Sequence, residues 1–99
     1  MDCLELFMIF EWDENKNRSN IQKHKVSFDQ AKDIFGVQTT IFVQDEIVDG
    51  EQRWKAIGTY NGISYLLVVH TYHSDDGEEY IRIISARKLS TGELTRWLS

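Results

Sequence analysis

Two side chains suited to holding a phosphate group, Arg53 and His70, occur in neighbouring strand-like segments of this 99-residue sequence. A guanidinium presents a charged fork that fits phosphate oxygens, and an imidazole titrates near neutral pH and can act as base or acid. On one face of a sheet, such a pair can clamp a single phosphate. The alternative is an arginine that packs against its strand neighbours beside a partly buried, neutral histidine.

The turn between the two segments decides whether Arg53 and His70 meet. Asn61-Gly62 is a strong signal for a two-residue hairpin turn, which pairs Tyr60 with Ile63 and places Arg53 opposite His70. Directly opposed residues share a face, and the more polar face is expected to stay open. That face carries Arg53, Lys55, Ile57, Leu66, Val68 and His70. The more apolar face, expected to lie under helices, carries Trp54, Ala56, Gly58, Tyr60, Ile63, Tyr65, Leu67, Val69 and Thr71.

Arg82 lies in the next strand-like segment, which is joined to the previous one by a short turn. A turn of two or four residues puts Arg82 on the covered face, beside Thr71 or Val69, whereas a β-bulge would reverse that assignment. Because a buried arginine must be paired, we expect Arg82 to bind a carboxylate such as that of Glu11 or Asp13 beneath the helices.

The same construction leaves Arg87 on the open face. Arg87 is about four to six residues from the level of Arg53, which at ~3.3 Å per residue is roughly 13 to 20 Å. It can therefore bind a neighbouring phosphate but not the same one.

His70 and His73, with Asp75 and Asp76, also have the residue types of metal ligands. These residues straddle both faces of a strand and a turn, so a solvated acidic turn is the better interpretation. No metal or other cofactor is expected.

The segments that position these residues follow from apolar periodicity and from turn and capping signals. Ser27 with Gln30, and Ser90 with Glu93, have the spacing of capping boxes and indicate helix starts. We predict strands at 4–12, 39–43, 52–60, 63–72 and 80–87, helices at 14–24 (capped by Asp13) and 27–36, a turn at 75–77, and a short helix after Ser90. Residues 1–99 then form one α+β domain, with an antiparallel sheet of four to five strands, two N-terminal helices packed on one face and a short C-terminal helix.

The net charge of -5 lies in the first half of the chain. Residues 1–50 hold five Lys/Arg against ten Asp/Glu, whereas residues 51–99 hold six of each. A basic footprint is typical of nucleic-acid-binding proteins, and here only a few local cations in the strand-rich half could supply one.

The compartment follows from cysteine usage and apolar runs. The single Cys3 excludes an internal disulfide framework, and no apolar run approaches the ~20 residues of a membrane span. We therefore expect a cytoplasmic protein.

Several strings of the sequence occur together in one known family. They are Phe10-Glu11-Trp12-Asp13, Lys23-His24-Lys25-Val26-Ser27-Phe28, Arg53 ahead of Ile57-Gly58, and Arg82-Ile83-Ile84-Ser85-Ala86-Arg87. Together they resemble the BrnT family of bacterial toxins over about residues 8–98, and the combination is far more specific than any one string. One departure is Lys25, where the family commonly has Gly.

The resemblance implies a RelE-like α+β fold and a ribonuclease that blocks translation. It also implies neutralisation by a cognate BrnA antitoxin with a ribbon-helix-helix part, so that operator DNA is reached only through the antitoxin. The acidic first half of the chain is then a candidate docking surface for a basic partner.

Metal-independent cleavage of RNA requires a group that removes the 2′-hydroxyl proton, one that protonates the leaving 5′-oxygen, and cations beside the phosphate. His24, at the end of the first helix, is the candidate for proton transfer, with Lys23 beside it for phosphate binding. The alternative role of His24 is to cap the helix C-terminus by its charge or a hydrogen bond. The predicted catalytic residues are His24, Arg53 and Arg87, and the predicted RNA-binding residues are Lys23, Lys55, His70 and Arg82.

A second class of function stays open. A catalytically weak relative would act as a binding module that holds a DNA-binding antitoxin for regulation of its own operon. Cations that form one site on the open face would favour the enzyme.

Overall fold

The computed structural model describes residues 8–98, which form five strands and three helices. In chain order they are β1 (Met8–Glu11), α1 (Glu14–His24), α2 (Phe28–Ala31, continued by a 3-10 turn at Lys32–Gly36), β2 (Ile41–Val48), β3 (Glu51–Tyr60), β4 (Ser64–Asp75), β5 (Glu78–Lys88) and α3 (Thr91–Leu98). The predicted first strand is confirmed from Met8, while residues 4–7 lie outside the described range.

One sheet contains all five strands in the order β1-β5-β4-β3-β2. Strands β2 to β5 form the predicted antiparallel meander, but β1 runs parallel to β5, so the sheet is mixed rather than antiparallel. A parallel pair needs a long connection, and here the helices and the other three strands lie between the two partners in the sequence.

Short polar side chains begin each helix where the sequence predicts it. The carboxylate of Asp13 accepts two backbone N–H groups of the first turn of α1. Ser27 and Gln30 make both hydrogen bonds of a capping box at α2. At α3, the Ser90 hydroxyl accepts the Glu93 N–H at 3.2 Å, and the Glu93 carboxylate accepts the Ser90 N–H at 3.0 Å. These bonds satisfy donors that a helix start otherwise leaves unpaired.

Lys25 ends α1 in the left-handed conformation, with a φ of 61°. Its backbone N–H donates to the carbonyl of Ile21 at 2.9 Å, which is the αL type of helix C-cap. This conformation is costly for any residue with a Cβ, because the Cβ approaches the following carbonyl oxygen. The departure from the Gly that is common in the similar family therefore has a conformational cost.

Replacing Lys25 with glycine is expected to raise the free energy of unfolding by about 0.5–1 kcal/mol, because the relief of backbone strain exceeds the extra entropy of the unfolded chain. Urea unfolding at neutral pH measures the change. Lys23→Gly is the matched control: it lies in right-handed helix and should lose about 0.5–1 kcal/mol instead. Equal effects of the two substitutions would contradict the conclusion that Lys25 is strained in the left-handed conformation.

One side of the sheet packs under α2, and we call it the helix face. Phe28, Ala31 and Ile34 are fully buried there, which confirms the predicted apolar stripe of this helix. Gly58 lies beside Ile34 and Thr40, and a Cβ at that position would clash with the Thr40 side chain and be 3.3 Å from the Cβ of Ile34, so the missing side chain allows the close approach. The sheet contributes Ala56, Leu66, Val68, Ile81, Ile83 and Ala86 to this core.

Helix α1 packs along the edge of β5 rather than over the helix face. Its buried residues are the polar Asn17 and Asn20, whereas Ile21 is 40% exposed. β1 pairs only with residues 79–82 of β5. Further along the same edge of β5, Asn20 forms hydrogen bonds with the backbone. Its amide donates to the Ala86 carbonyl at 2.7 Å and accepts the Ala86 N–H at 3.1 Å. The prediction that both N-terminal helices pack on one face therefore holds for α2 only.

Strands β3 and β4 pair one residue away from the predicted register. Asn61 and Gly62 form a turn with positive φ, but Ile63 stays outside the ladder and Tyr60 pairs with Ser64. The extra residue turns every β4 side chain to the face opposite the predicted one. Since residues 66–69 are apolar at every position, the hydrophobic pattern does not distinguish the two registers.

The hairpin between β4 and β5 has a two-residue turn within the predicted segment, at Asp76-Gly77. It places Arg82 beside Thr71, as predicted, but the shift of β4 moves this pair away from the helices. A bulge further along the hairpin then pairs Arg87 with Leu67 on the same side. The prediction that Arg82 lies beneath the helices is therefore wrong. We call the side opposite α2 the cationic face; its Lys and Arg residues are Arg53, Lys55, Arg82 and Arg87, and the acidic Glu11, Glu51, Asp75 and Glu78 lie on the same side.

Candidate nucleic-acid interface

Arg53, Thr71 and Arg82 form one row across β3, β4 and β5 on the cationic face. Neighbouring strands are ~4.8 Å apart, so the Cα atoms of the two arginines are about 10 Å apart. Thr71 between them is 2% exposed, and the two long side chains flank this small buried residue. Two guanidinium groups in this arrangement can both donate to one phosphate above Thr71.

Neither arginine of this row has a carboxylate partner among residues 8–98. Within that range the Nε atom of Arg53 is buried and lacks a hydrogen-bond acceptor. Arg82 is exposed, and the ion pair predicted with Glu11 or Asp13 is not formed, although Glu11 is its register partner on β1. A buried donor without an acceptor is costly, so Arg53 retains hydrogen-bonding capacity for an anionic ligand.

Lys55 follows Arg53 on the same face of β3. Its Nζ is 3.9 Å from a carboxylate oxygen of Asp45, and both side chains are partly exposed. Such a long, solvated contact contributes little free energy. Lys55 therefore adds positive charge beside Arg53 at little cost to the fold.

Arg87, the fourth cation of the face, is already bound by Glu93 of α3. The two guanidinium nitrogens donate to the carboxylate at 2.8 and 2.7 Å, and Ser90 donates its N–H to the same group. These hydrogen bonds raise the pKa of Arg87 and lower the pKa of Glu93 to about 2, the bond to Arg87 being the larger cause for Glu93. Arg87 thus joins α3 to β5, and its catalytic role stays a prediction.

The contribution of Glu93 to the stability of the fold is expected to depend on pH. Its folded pKa of about 2 lies below the ordinary 4.5, so the contribution is complete above about pH 5 and is lost as the pH falls toward 2. Thermal unfolding should find Glu93→Gln less stable than the wild type at pH 7 and similar to it near pH 2. The exposed Glu46→Gln is the matched control. A difference that is constant from pH 7 to 2 would contradict the ion pair.

His24 and Lys23 lie at the end of α1, beside β5. A cleft of about 190 Å³ between these elements is lined by Lys16, Ser19, Asn20, Lys23, His24, Ile84 and Ser85. His24 is exposed, and in the described chain its ring makes no hydrogen bond, while Lys25 supplies the bonds that cap the helix. Ser85 belongs to the cationic face, where it pairs with Val69, so the cleft borders that face.

His70 lies on the helix face, and the predicted clamp with Arg53 is therefore wrong. Its ring is 3% exposed and packs edge-on against Phe35 and Phe42, with centroid distances of 4.8 and 6.0 Å. Burial lowers the pKa of His70, and the contact of Nδ1 with the Val68 carbonyl opposes this only in part. A neutral, buried ring is part of the core and is not available to RNA.

Thr71 and Asn20 are the residues that sequence reasoning missed. Thr71 lies opposite Arg53, where the predicted register placed His70. Identifying Thr71 requires knowing that the turn after Tyr60 is one residue longer than Asn61-Gly62 alone. Asn20 anchors α1, which carries His24, to β5 through its two hydrogen bonds with Ala86. In the sequence it is one polar residue in a largely polar helix, and nothing marks it as buried.

No cluster of three or more metal-ligating side chains occurs among residues 8–98. Within the same range, none of the helices is long and apolar enough to cross a membrane.

A mixed sheet with a helix over one face and two neighbouring arginines on the other defines a small α+β protein with a cationic surface. A known family, the ribonuclease toxin BrnT of type II toxin-antitoxin systems, matches residues 12–93. The chain belongs to this family, which confirms the resemblance seen in its sequence strings.

A solved relative has a similar structure. The crystal structure of the Brucella abortus ribonuclease toxin BrnT, at 1.1 Å resolution, superposes with a TM-score of 0.64 and is 28% identical in sequence. The match covers 86% of this chain and 99% of the Brucella chain. A search of curated proteins finds no match.

Proposed function

We propose that this protein is a metal-independent endoribonuclease that cleaves mRNA and thereby inhibits translation. Membership of a family of ribonuclease toxins supports RNA as the substrate. The observation that carries the proposal is the row of Arg53, Thr71 and Arg82, in which two arginines without a carboxylate partner in the described range flank a buried threonine.

In the proposed reaction the 2′-oxygen attacks the adjacent phosphorus and the bond from phosphorus to the 5′-oxygen breaks. The products are a 2′,3′-cyclic phosphate and a 5′-hydroxyl; one proton leaves the 2′-hydroxyl and one is added to the 5′-oxygen. His24 performs one of these transfers, because an imidazole exchanges protons near neutral pH and this one is exposed in the cleft beside β5.

The cations divide between the scissile phosphate and its neighbours. Arg53 and Arg82 bind the scissile phosphate and stabilise the charge of its pentacovalent transition state. Lys23 and Lys55 bind adjacent phosphates. Arg87, whose guanidinium is already held by Glu93, contacts a neighbouring phosphate rather than the reacting one.

A BrnA-like antitoxin with a ribbon-helix-helix part is the proposed partner, and operator DNA is reached only through it. The excess of acid in the first half of the chain supports a basic partner. The second candidate function, a binding module with weak catalysis, is favoured by the ion pair that already neutralises Arg87. With either function the protein would act in the cytoplasm. We expect its fold to be RelE-like.

The decisive experiment incubates the purified protein with end-labelled single-stranded RNA in EDTA. We expect cleavage that leaves a 2′,3′-cyclic phosphate, and loss of cleavage when every 2′-oxygen is methylated. His24→Ala should be inactive, and Arg18→Ala, which removes a cation from the side of α1 opposite the cleft, should be fully active. A wild type that binds antitoxin tightly but leaves RNA intact would establish the binding module instead.

A further inference from the structure

His73 and Tyr80 form a stacked pair of rings on the cationic face. They are register partners on β4 and β5, with ring centroids 4.8 Å apart and ring planes inclined by 3°. His73 is exposed and Tyr80 is half-buried. Because the pair lies on the opposite side of the sheet from α2, it contributes nothing to the main core.

The pair is the next row along the sheet from the two arginines. His73 follows Thr71 on the same face of β4, and Tyr80 precedes Arg82 on the same face of β5, each at ~6.6 Å along the strand. The pairing of β3 with β4 ends at Arg53. In the described chain, the side of His73 turned away from Tyr80 therefore has no strand partner, and a flat group there can extend the stack.

We propose that His73 and Tyr80 form the stacking subsite for a nucleobase of the RNA, next to the phosphate that Arg53 and Arg82 hold. The inference rests on the proposed function and adds a substrate contact to it. Single-stranded RNA is commonly held by stacking of its splayed bases on aromatic side chains, with cations along the backbone. A base that reaches this subsite must be unpaired, so the substrate class is single-stranded RNA.

Acidic residues around the pair determine which part of a nucleotide fits there. The Tyr80 hydroxyl donates to Glu78 at 2.9 Å, and this bond, with the charges of Glu78, Asp75 and Glu11, raises the pKa of Tyr80. Carboxylates repel phosphate but accept hydrogen bonds from the amino and imino groups of bases. The arrangement therefore admits a base and keeps the phosphate backbone on the side of the arginines.

Tyr72 is a matched control in the same hairpin. Its hydroxyl donates to Glu79 at 3.2 Å, as that of Tyr80 does to Glu78, and its side chain is 47% exposed. It lies on the helix face, however, and cannot reach an RNA bound to the cationic face.

The test compares binding of two fluorescein-labelled probes of equal length by fluorescence anisotropy. One is a single-stranded 2′-O-methyl RNA of mixed sequence, which cannot be cleaved, and the other is the same backbone without bases. The wild type is expected to prefer the probe with bases. His73→Ala and Tyr80→Ala should weaken binding of that probe by about 5- to 100-fold and bind the abasic probe as the wild type does. Tyr80→Phe and Tyr72→Ala should bind both probes like the wild type.

The other possible results distinguish failure of the stacking subsite from failure of the proposed function. If His73→Ala and Tyr80→Ala bind both probes like the wild type while Arg53→Ala weakens both, the stacking subsite is wrong and the proposed function stands. If the two alanine variants weaken both probes equally, they act through the fold or the charge and the subsite is also wrong. A wild type that binds neither probe removes the proposed function together with the subsite.

Discussion

Arg53→Ala is expected to lower the rate of RNA cleavage by about 10²–10³-fold, the usual effect of removing one donor that stabilises a charged transition state. The expectation rests on the position of Arg53 beside the buried Thr71 and on its Nε, which is buried without an acceptor among residues 8–98. That donor costs the fold stability while it has no acceptor. The free energy of unfolding should therefore change by less than about 1 kcal/mol in the variant.

Arg53→Lys separates charge from geometry. A lysine restores the positive charge but not the planar fork, so it should recover only part of the lost rate. Arg82→Ala should also lose activity, and the double variant should lose less than the product of the two single effects, because both arginines act on one phosphate. Single-turnover cleavage of one RNA measures the rate of each variant relative to the wild type.

Arg18→Ala is the charge-matched control for this series and should cleave at the wild-type rate. If it loses as much activity as Arg53→Ala, the net charge of the protein rather than the arginine row determines the rate. If Arg53→Ala keeps full activity, Arg53 does not bind the scissile phosphate, and other cations must stabilise the transition state.

The helix starts and the order of the elements could be predicted because their signals are local. Ser27 with Gln30 and Ser90 with Glu93 make the hydrogen bonds that their spacing implies, since a capping box involves only residues of one turn. Strand-like composition and turn signals likewise located all four strands of the meander, although β2 continues to Val48, well beyond the predicted end.

The site could be predicted in its residue types but not in its assembly. Whether Arg53 faces His70 or Thr71 depends on whether Ile63 joins the ladder. The structure leaves Ile63 outside the ladder and 85% exposed, which its apolar side chain does not predict. Residues 66–69 are apolar throughout and bury well in either register. The bulge that brings Arg87 to the cationic face is a tertiary effect with no signal in the sequence.

Asn20→Leu is expected to lower the free energy of unfolding by about 3–5 kcal/mol, a large part of the stability of a domain of this size. Asn20 is 6% exposed; its amide donates to the Val26 and Ala86 carbonyls at 2.8 and 2.7 Å and accepts the Ala86 N–H at 3.1 Å. Leucine fills a similar volume but leaves these groups unpaired, and each buried unpaired group costs about 1–3 kcal/mol. Urea unfolding measures the loss.

The control for Asn20→Leu is Asn15→Ala, an exposed asparagine of the same helix, which should change stability by less than about 0.5 kcal/mol. Hydrogen exchange of the Ala86 amide should quicken in Asn20→Leu, because Asn20 supplies its acceptor at the open edge of β5. His24 lies one helical turn beyond Asn20, so the same substitution should also reduce RNA cleavage if His24 transfers the proton. Unchanged stability with fast exchange at Ala86 would mean that water replaces the amide, and that α1 is held to the sheet by other contacts.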